Sequence, residues 1–168
     1  MEQDPEETEK RRQNQKFGNY SDQEREQRPD ATETRQAANE KPKVGVLAEL
    51  TRPIIGAAIE VHRELGPGLM ESAYEECLCR ELTLRNIGFQ RQVPVPLHYK
   101  GVYVDCAYRA DLVIGDVVVE LKALESMGLI HEVQLLSYLR LLKKPVGLLI
   151  NFHAPVLKDG IRRKVFNP

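Results

Sequence analysis

Two carboxylates and a lysine stand out because a tight turn between them sets where they sit. Gly115-Asp116 separates two apolar arms, and a two-residue loop with glycine first suits a type II′ hairpin. Counting outward, Ile114 pairs with Val117, Val113 with Val118, Leu112 with Val119 and Asp111 with Glu120. Alternation then puts Leu112, Ile114, Val117, Val119 and Leu121 on one apolar face, expected to be core. The other face carries Arg109, Asp111, Val113, Val118, Glu120 and Lys122. Directly opposed side chains have Cβ atoms roughly 4.5–5.5 Å apart, so two like charges stand together and call for a cation. A divalent metal meets that need, since hard cations such as Mg²⁺ prefer carboxylate oxygen and water. Arg109 and Lys122 also meet it, as a surface ion-pair cluster with no metal.

Three further features bear on that choice. Glu71 falls in the first turn of an expected helix, where an acid also serves the helix dipole. His131, Gln134 and Tyr138 share one side of a later, otherwise apolar helix. That helix follows the hairpin at once in the chain.

The elements that must position these residues are read from periodicity. Leu47, Leu50, Ile54, Ala58, Val61 and Leu65 form the stripe of an amphipathic helix, expected to start near Thr51 as N-cap and to stop at Gly66-Pro67. A second helix is expected from Leu69 to Asn86, with Leu69, Ala73, Cys77, Leu78, Leu82 and Leu84 apolar. Phe89 to Tyr99 reads as a strand that Pro94 and Pro96 confine to an edge or a bulge. Val102 to Ile114 and Val117 to Lys122 complete three antiparallel strands. A third helix is expected over Ser126 to Leu142, with Ile130, Val133, Leu136, Tyr138, Leu139 and Leu142 as its stripe, stopped by Pro145. Val146 to Phe152 is a continuous apolar run, as in a strand buried on both faces, and Ile161 to Phe166 is a short last strand. The expected fold class is α/β, a mixed central sheet flanked by helices with an extra helix in front.

Residues 1–43 carry eleven acidic and nine basic side chains, with Phe17 and Tyr20 as their only aromatics. So little apolar surface cannot offset the ordering of a backbone, and this segment is expected to be a disordered charged tail before a domain over residues 44–168. The tail sums to −2 against −1 for the whole chain, leaving the domain near +1. A strongly basic domain is thereby excluded, and attraction to a polyanion must come from patches such as Lys143-Lys144 or Arg162-Arg163-Lys164. Cys77 and Cys79 lie two apart on a helix, on different faces, so with Cys106 they read as reduced thiols of a cytoplasmic protein. No apolar stretch reaches the length of a membrane span.

Together these residues resemble the small GxxExxY family, a branch of the PD-(D/E)XK nuclease superfamily. The resemblance runs from about residue 50 to residue 166. It rests on Gly68, Glu71 and Tyr74, on Arg109-Ala-Asp111-Leu, on Val119-Glu-Leu-Lys122 and on His131-Glu-Val-Gln134-Leu-Leu-Ser-Tyr138. It implies a restriction-endonuclease-like core: a helix, three antiparallel strands, a helix and a strand. It also implies Glu71, Asp111, Glu120 and Lys122 as catalytic residues, with Asp111, Glu120, Glu71 and Leu121 in the metal set. His131, Gln134 and Tyr138 would hold substrate. The implied cofactor is Mg²⁺, with Mn²⁺ as substitute, and the implied partner is nucleic acid, DNA before RNA, with no membrane. The rival expectation is a noncatalytic module of the same fold that binds nucleic acid or a protein. Either could self-associate through an edge strand.

Overall fold

The computed structural model describes residues 44–104 and 108–167. The expected disordered tail over residues 1–43 and the expected thiol at Cys106 lie outside them.

Helix α1, Val44–Leu65, leads. It begins well before the expected cap, and Thr51 is fully buried inside it with its hydroxyl 3.5 Å from the Ala48 carbonyl oxygen. Pro53 therefore sits in the helix interior, where it removes one main-chain hydrogen bond. Burial of Ile54, Ala57, Ala58 and Val61 just beyond it offsets that loss. Helix α2, Glu71–Leu84, is shorter than expected at both ends. Leu69 and Leu84, expected among its apolar positions, are exposed, and the buried face is Tyr74, Glu75, Leu78, Cys79 and Leu82.

The sheet has five strands: β1 Gln90–Pro94, β4 Arg109–Ile114, β5 Val117–Lys122, β6 Val146–Asn151 and β7 Ile161–Val165, side by side in that order. Between β1 and β4 in the chain, β2 Leu97–Tyr99 and β3 Val102–Val104 form a separate two-stranded ribbon. The single strands expected over Phe89–Tyr99 and Val102–Ile114 are thus each divided. Prolines supply the reason for the first break. Pro94 and Pro96 have no N–H to continue the ladder, and only Val95 between them donates across, to the Tyr108 carbonyl oxygen at 2.8 Å.

Strands β1, β4 and β5 are antiparallel, and β5 pairs in parallel with β6 across helix α3, Leu129–Leu142. All six residues of β6 are buried, as its apolar run requires. Helices α1 and α2 cover one face of the sheet, through Ile54, Tyr74, Leu78 and Leu82 against Leu112, Val119, Leu121 and Ile150. Helix α3 covers the other, through Leu135, Tyr138 and Leu139 against Val113, Val118 and Leu149. Its stripe is rotated from the expected one, and Ile130 is 69% exposed. Gly147 of β6 explains the fit: a Cβ there would stand 2.8 Å from Leu135, so the absent side chain lets α3 lie close on the sheet. The architecture is the expected mixed α/β sheet with an extra leading helix.

Candidate active site

The hairpin forms as the turn chemistry dictates. Gly115 has φ 56°, the left-handed backbone a type II′ turn asks of its first loop residue, and the pairs 114/117, 113/118 and 112/119 are all made. Regular pairing would next give the Leu121 N–H to the Ala110 carbonyl. Instead the Asp111 carboxylate takes it, with Oδ2 2.8 Å from the Leu121 nitrogen. Alternation breaks at the same point. Ala110 joins Val113 in the cluster under α3, although it lies two residues from Leu112 on the opposite side. The end of the hairpin that carries Asp111 and Glu120 is therefore where the two strands stop being a ladder, and the expected Asp111/Glu120 pair is not made.

Glu120 is only 2% exposed, which excludes the plain surface ion-pair cluster. Its Oε2 lies 3.4 Å from the Lys122 Nζ, and its Oε1 is buried with no hydrogen-bond partner. Burial, reinforced by the Asp111 charge and opposed by Lys122, pushes its carboxyl up to about 8. Asp111 is also raised, mainly by burial, with the Leu121 N–H and Lys122 pulling it back. A buried carboxylate with one orphaned oxygen is expensive and calls for a donor or a cation. The Leu121 side chain is fully buried in the core under α1 and α2, so only its main chain can contribute to a metal set.

Glu71 arrives at this cluster on the first turn of α2. The chain before it turns through Gly66 at φ 66° and Gly68 at φ 111°, and the second value lies in a region that only glycine enters freely. Tyr74 straps that turn: its hydroxyl donates to the Gly66 carbonyl oxygen at 2.6 Å and accepts from the Leu69 N–H at 3.1 Å. Its ring is fully buried, stacked on Phe152 with centroids 4.4 Å apart. Burial raises the Glu71 carboxyl, with the Lys122 charge opposing that rise and the Asp111 charge adding to it. The glycine, the acid and the tyrosine of the motif are thus one device for presenting a carboxylate. Tyr74→Phe keeps the stack but strands two main-chain groups, and should cost about 1–2 kcal/mol in a denaturant melt. An unchanged midpoint would mean that the strap does not hold the turn.

Helix α3 brings Gln134 and Tyr138 to the other side. The Gln134 Nε2 donates to the Tyr138 hydroxyl at 2.9 Å, and the Tyr138 phenol, raised mainly by burial, also senses Glu120, Lys122 and Asp111. His131 is placed differently: its Nδ1 accepts from the Gly128 N–H at 3.1 Å, closing the start of α3. Among the described residues, no hydrogen bond ties it to the carboxylates. Reading the sequence also missed Asn151, which is buried at the end of β6. Its side chain bonds both the N–H and the carbonyl of Leu124 and so fixes the chain leaving Lys122. Its signal was a polar residue closing an otherwise apolar strand.

Among the described residues, no three His, Cys, Asp or Glu side chains converge as a preformed metal cage. A magnesium-type ion needs fewer, typically one or two carboxylates with waters, and the orphaned Glu120 Oε1 beside Asp111 fits that demand. Among the described residues, no helix is long and apolar enough to cross a membrane. A family model described as the PD-(D/E)XK nuclease superfamily matches residues 48–164, and no curated protein or solved structure matches.

Proposed function

Because the chain belongs to the PD-(D/E)XK nuclease superfamily, we propose that it hydrolyses phosphodiester bonds of DNA, with RNA as a second substrate, in a reaction that needs Mg²⁺ or Mn²⁺. Gly68, Glu71 and Tyr74 support placing it in the GxxExxY branch. The same reading takes residues 44–168 as the catalytic domain and the cytoplasm as its place of action. One observation carries it: Glu120 is buried beside a second carboxylate, one of its oxygens held by Lys122 and the other without a partner.

Asp111 and Glu120 would hold the cation, with Glu71 and the Leu121 main chain completing the set. What such a cation supplies when bound is Lewis acidity toward water and toward a phosphoryl oxygen. Glu120 must first give up its proton, which burial holds to about pH 8, so binding releases a proton at neutral pH. Lys122 offers a cationic donor next to Glu120, suited to orient the attacking water and to stabilise negative charge as it develops. Tyr138 and Gln134 offer a hydroxyl and an amide to substrate oxygens from the α3 side.

Purified protein incubated with single-stranded DNA, double-stranded DNA or RNA, in Mg²⁺, Mn²⁺ or EDTA, tests this. Wild type should cleave only with metal, and Glu120→Ala should not cleave. Equal behaviour of the two proteins would reject the catalytic reading in favour of a noncatalytic module of the same fold.

A further inference from the structure

Next to the site lies a polar chain that the reaction does not use. Glu75, one helical turn after Glu71 on α2, is buried at 7% exposure. Its two oxygens are taken by consecutive residues of β1: Oε1 by the Arg91 Nε at 2.5 Å and Oε2 by the Gln92 Nε2 at 2.9 Å. Neighbouring side chains of a strand normally point to opposite faces and cannot share one acid. They do so here because Gln92 has φ 51°, a left-handed backbone that a side-chain-bearing residue rarely adopts within a strand. The Gln92 amide nitrogen also lies 3.5 Å from the Asp111 Oδ1. Its carbonyl accepts from the Arg109 guanidinium at 3.0 Å, which helps hold the turned conformation.

We infer that Gln92 is a positioning residue for the metal site, held on Glu75 so that its amide orients the Asp111 carboxylate from behind. Strained backbone kept in a native strand points to a functional constraint at that position. An amide suits this place, because its two N–H groups can serve two carboxylates without adding charge. Oδ2 is bonded by the Leu121 N–H at 2.8 Å and Oδ1 lies 3.5 Å from the Gln92 amide, so both Asp111 oxygens have a protein donor beside them. Partners that orient ligands in this way typically govern metal affinity by about 10- to 100-fold.

This rests on the metal-dependent reading above, and its test separates the two. Gln92→Gly removes the amide and relaxes the left-handed backbone, so the strain relieved offsets part of the hydrogen bond lost to Glu75, which keeps Arg91. Melting temperature is followed against Mg²⁺ concentration for wild type, Gln92→Gly and Glu120→Ala, and cleavage is measured over the same series. Gln92→Gly should melt within a few degrees of wild type in EDTA, yet need about 10-fold more Mg²⁺ or higher for half its stabilisation and half its rate. Gln92→Asn, which tolerates the left-handed backbone and keeps an amide, should recover part of that loss. A wild-type Mg²⁺ response that Gln92→Gly leaves unshifted overturns this inference alone. No Mg²⁺ response in wild type overturns it together with the function proposed above.

Discussion

Glu120→Gln should abolish cleavage and yet raise the melting temperature in EDTA at pH 8, by on the order of 10 °C or more. The sign follows from the carboxyl's raised value. In the folded protein Glu120 keeps its proton to about pH 8, against an ordinary value of 4.5, so folding takes up a proton between those limits. The stability this group allows is full below pH 4.5 and is lost as pH rises toward 8. Each pH unit in that window costs about 1.4 kcal/mol, which puts the whole effect at a few kcal/mol. Glutamine has the same shape and no charge to bury, so the variant escapes the loss. Asp111 and Glu71 are raised for the same main reason and slope the same way in both proteins. The advantage of the variant should therefore shrink as pH falls and nearly vanish near pH 4.5. Melting curves from pH 4.5 to 8.5 decide it. A constant difference across that range would mean that Glu120 is not the buried acid responsible.

The hairpin was legible because its geometry is local. A two-residue turn fixes the pairing of the arms as far as Leu112 and Val119. The expected Asp111/Glu120 pair is not part of the ladder, because the Asp111 carboxylate takes the Leu121 N–H instead, yet the two acids and Lys122 still lie close together. What the turn cannot specify is what comes to rest on the second face. Whether Glu120 ends on a wet surface or in a sealed site depends on α3 crossing back over β6, and that contact is set by Gly147 and Leu135. The alternative of a surface ion-pair cluster stayed open for that reason. The misplaced start of α1 has a different origin: a proline weighs against a helix locally, and only the burial of Ile54, Ala57 and Ala58 outweighs it. The expected place of His131 beside Gln134 and Tyr138 came from helical spacing alone. Spacing could not anticipate that its ring would turn back to Gly128. Glu75 could have been found, being four residues after Glu71 and so on the same helical face. Gln92 could not, since its role depends on a left-handed backbone inside a strand.

Lys122→Ala should lower the cleavage rate at saturating Mg²⁺ by about 10²- to 10³-fold while leaving the Mg²⁺ response of the melting temperature in place. Two jobs are divided within one cluster. Glu120 and Asp111 have oxygens to offer a cation, whereas the Lys122 ammonium, 14% exposed and 3.4 Å from Glu120, has only donors and a charge. In the reaction proposed above, removing it takes away a preorganised donor beside Glu120, so the loss should fall on the maximal rate rather than on substrate affinity. It also takes away the cation that holds the Glu120 carboxyl down, so the variant's pH profile should shift upward. Lys122→Arg restores charge without the compact, freely rotating donor, and should recover only part of the rate. Glu120→Ala, by contrast, should lose cleavage and Mg²⁺ response together. If Lys122→Ala cut within about threefold of wild type, the lysine would be only a counter-ion to a buried acid, and activation of water would have to come from the carboxylates alone.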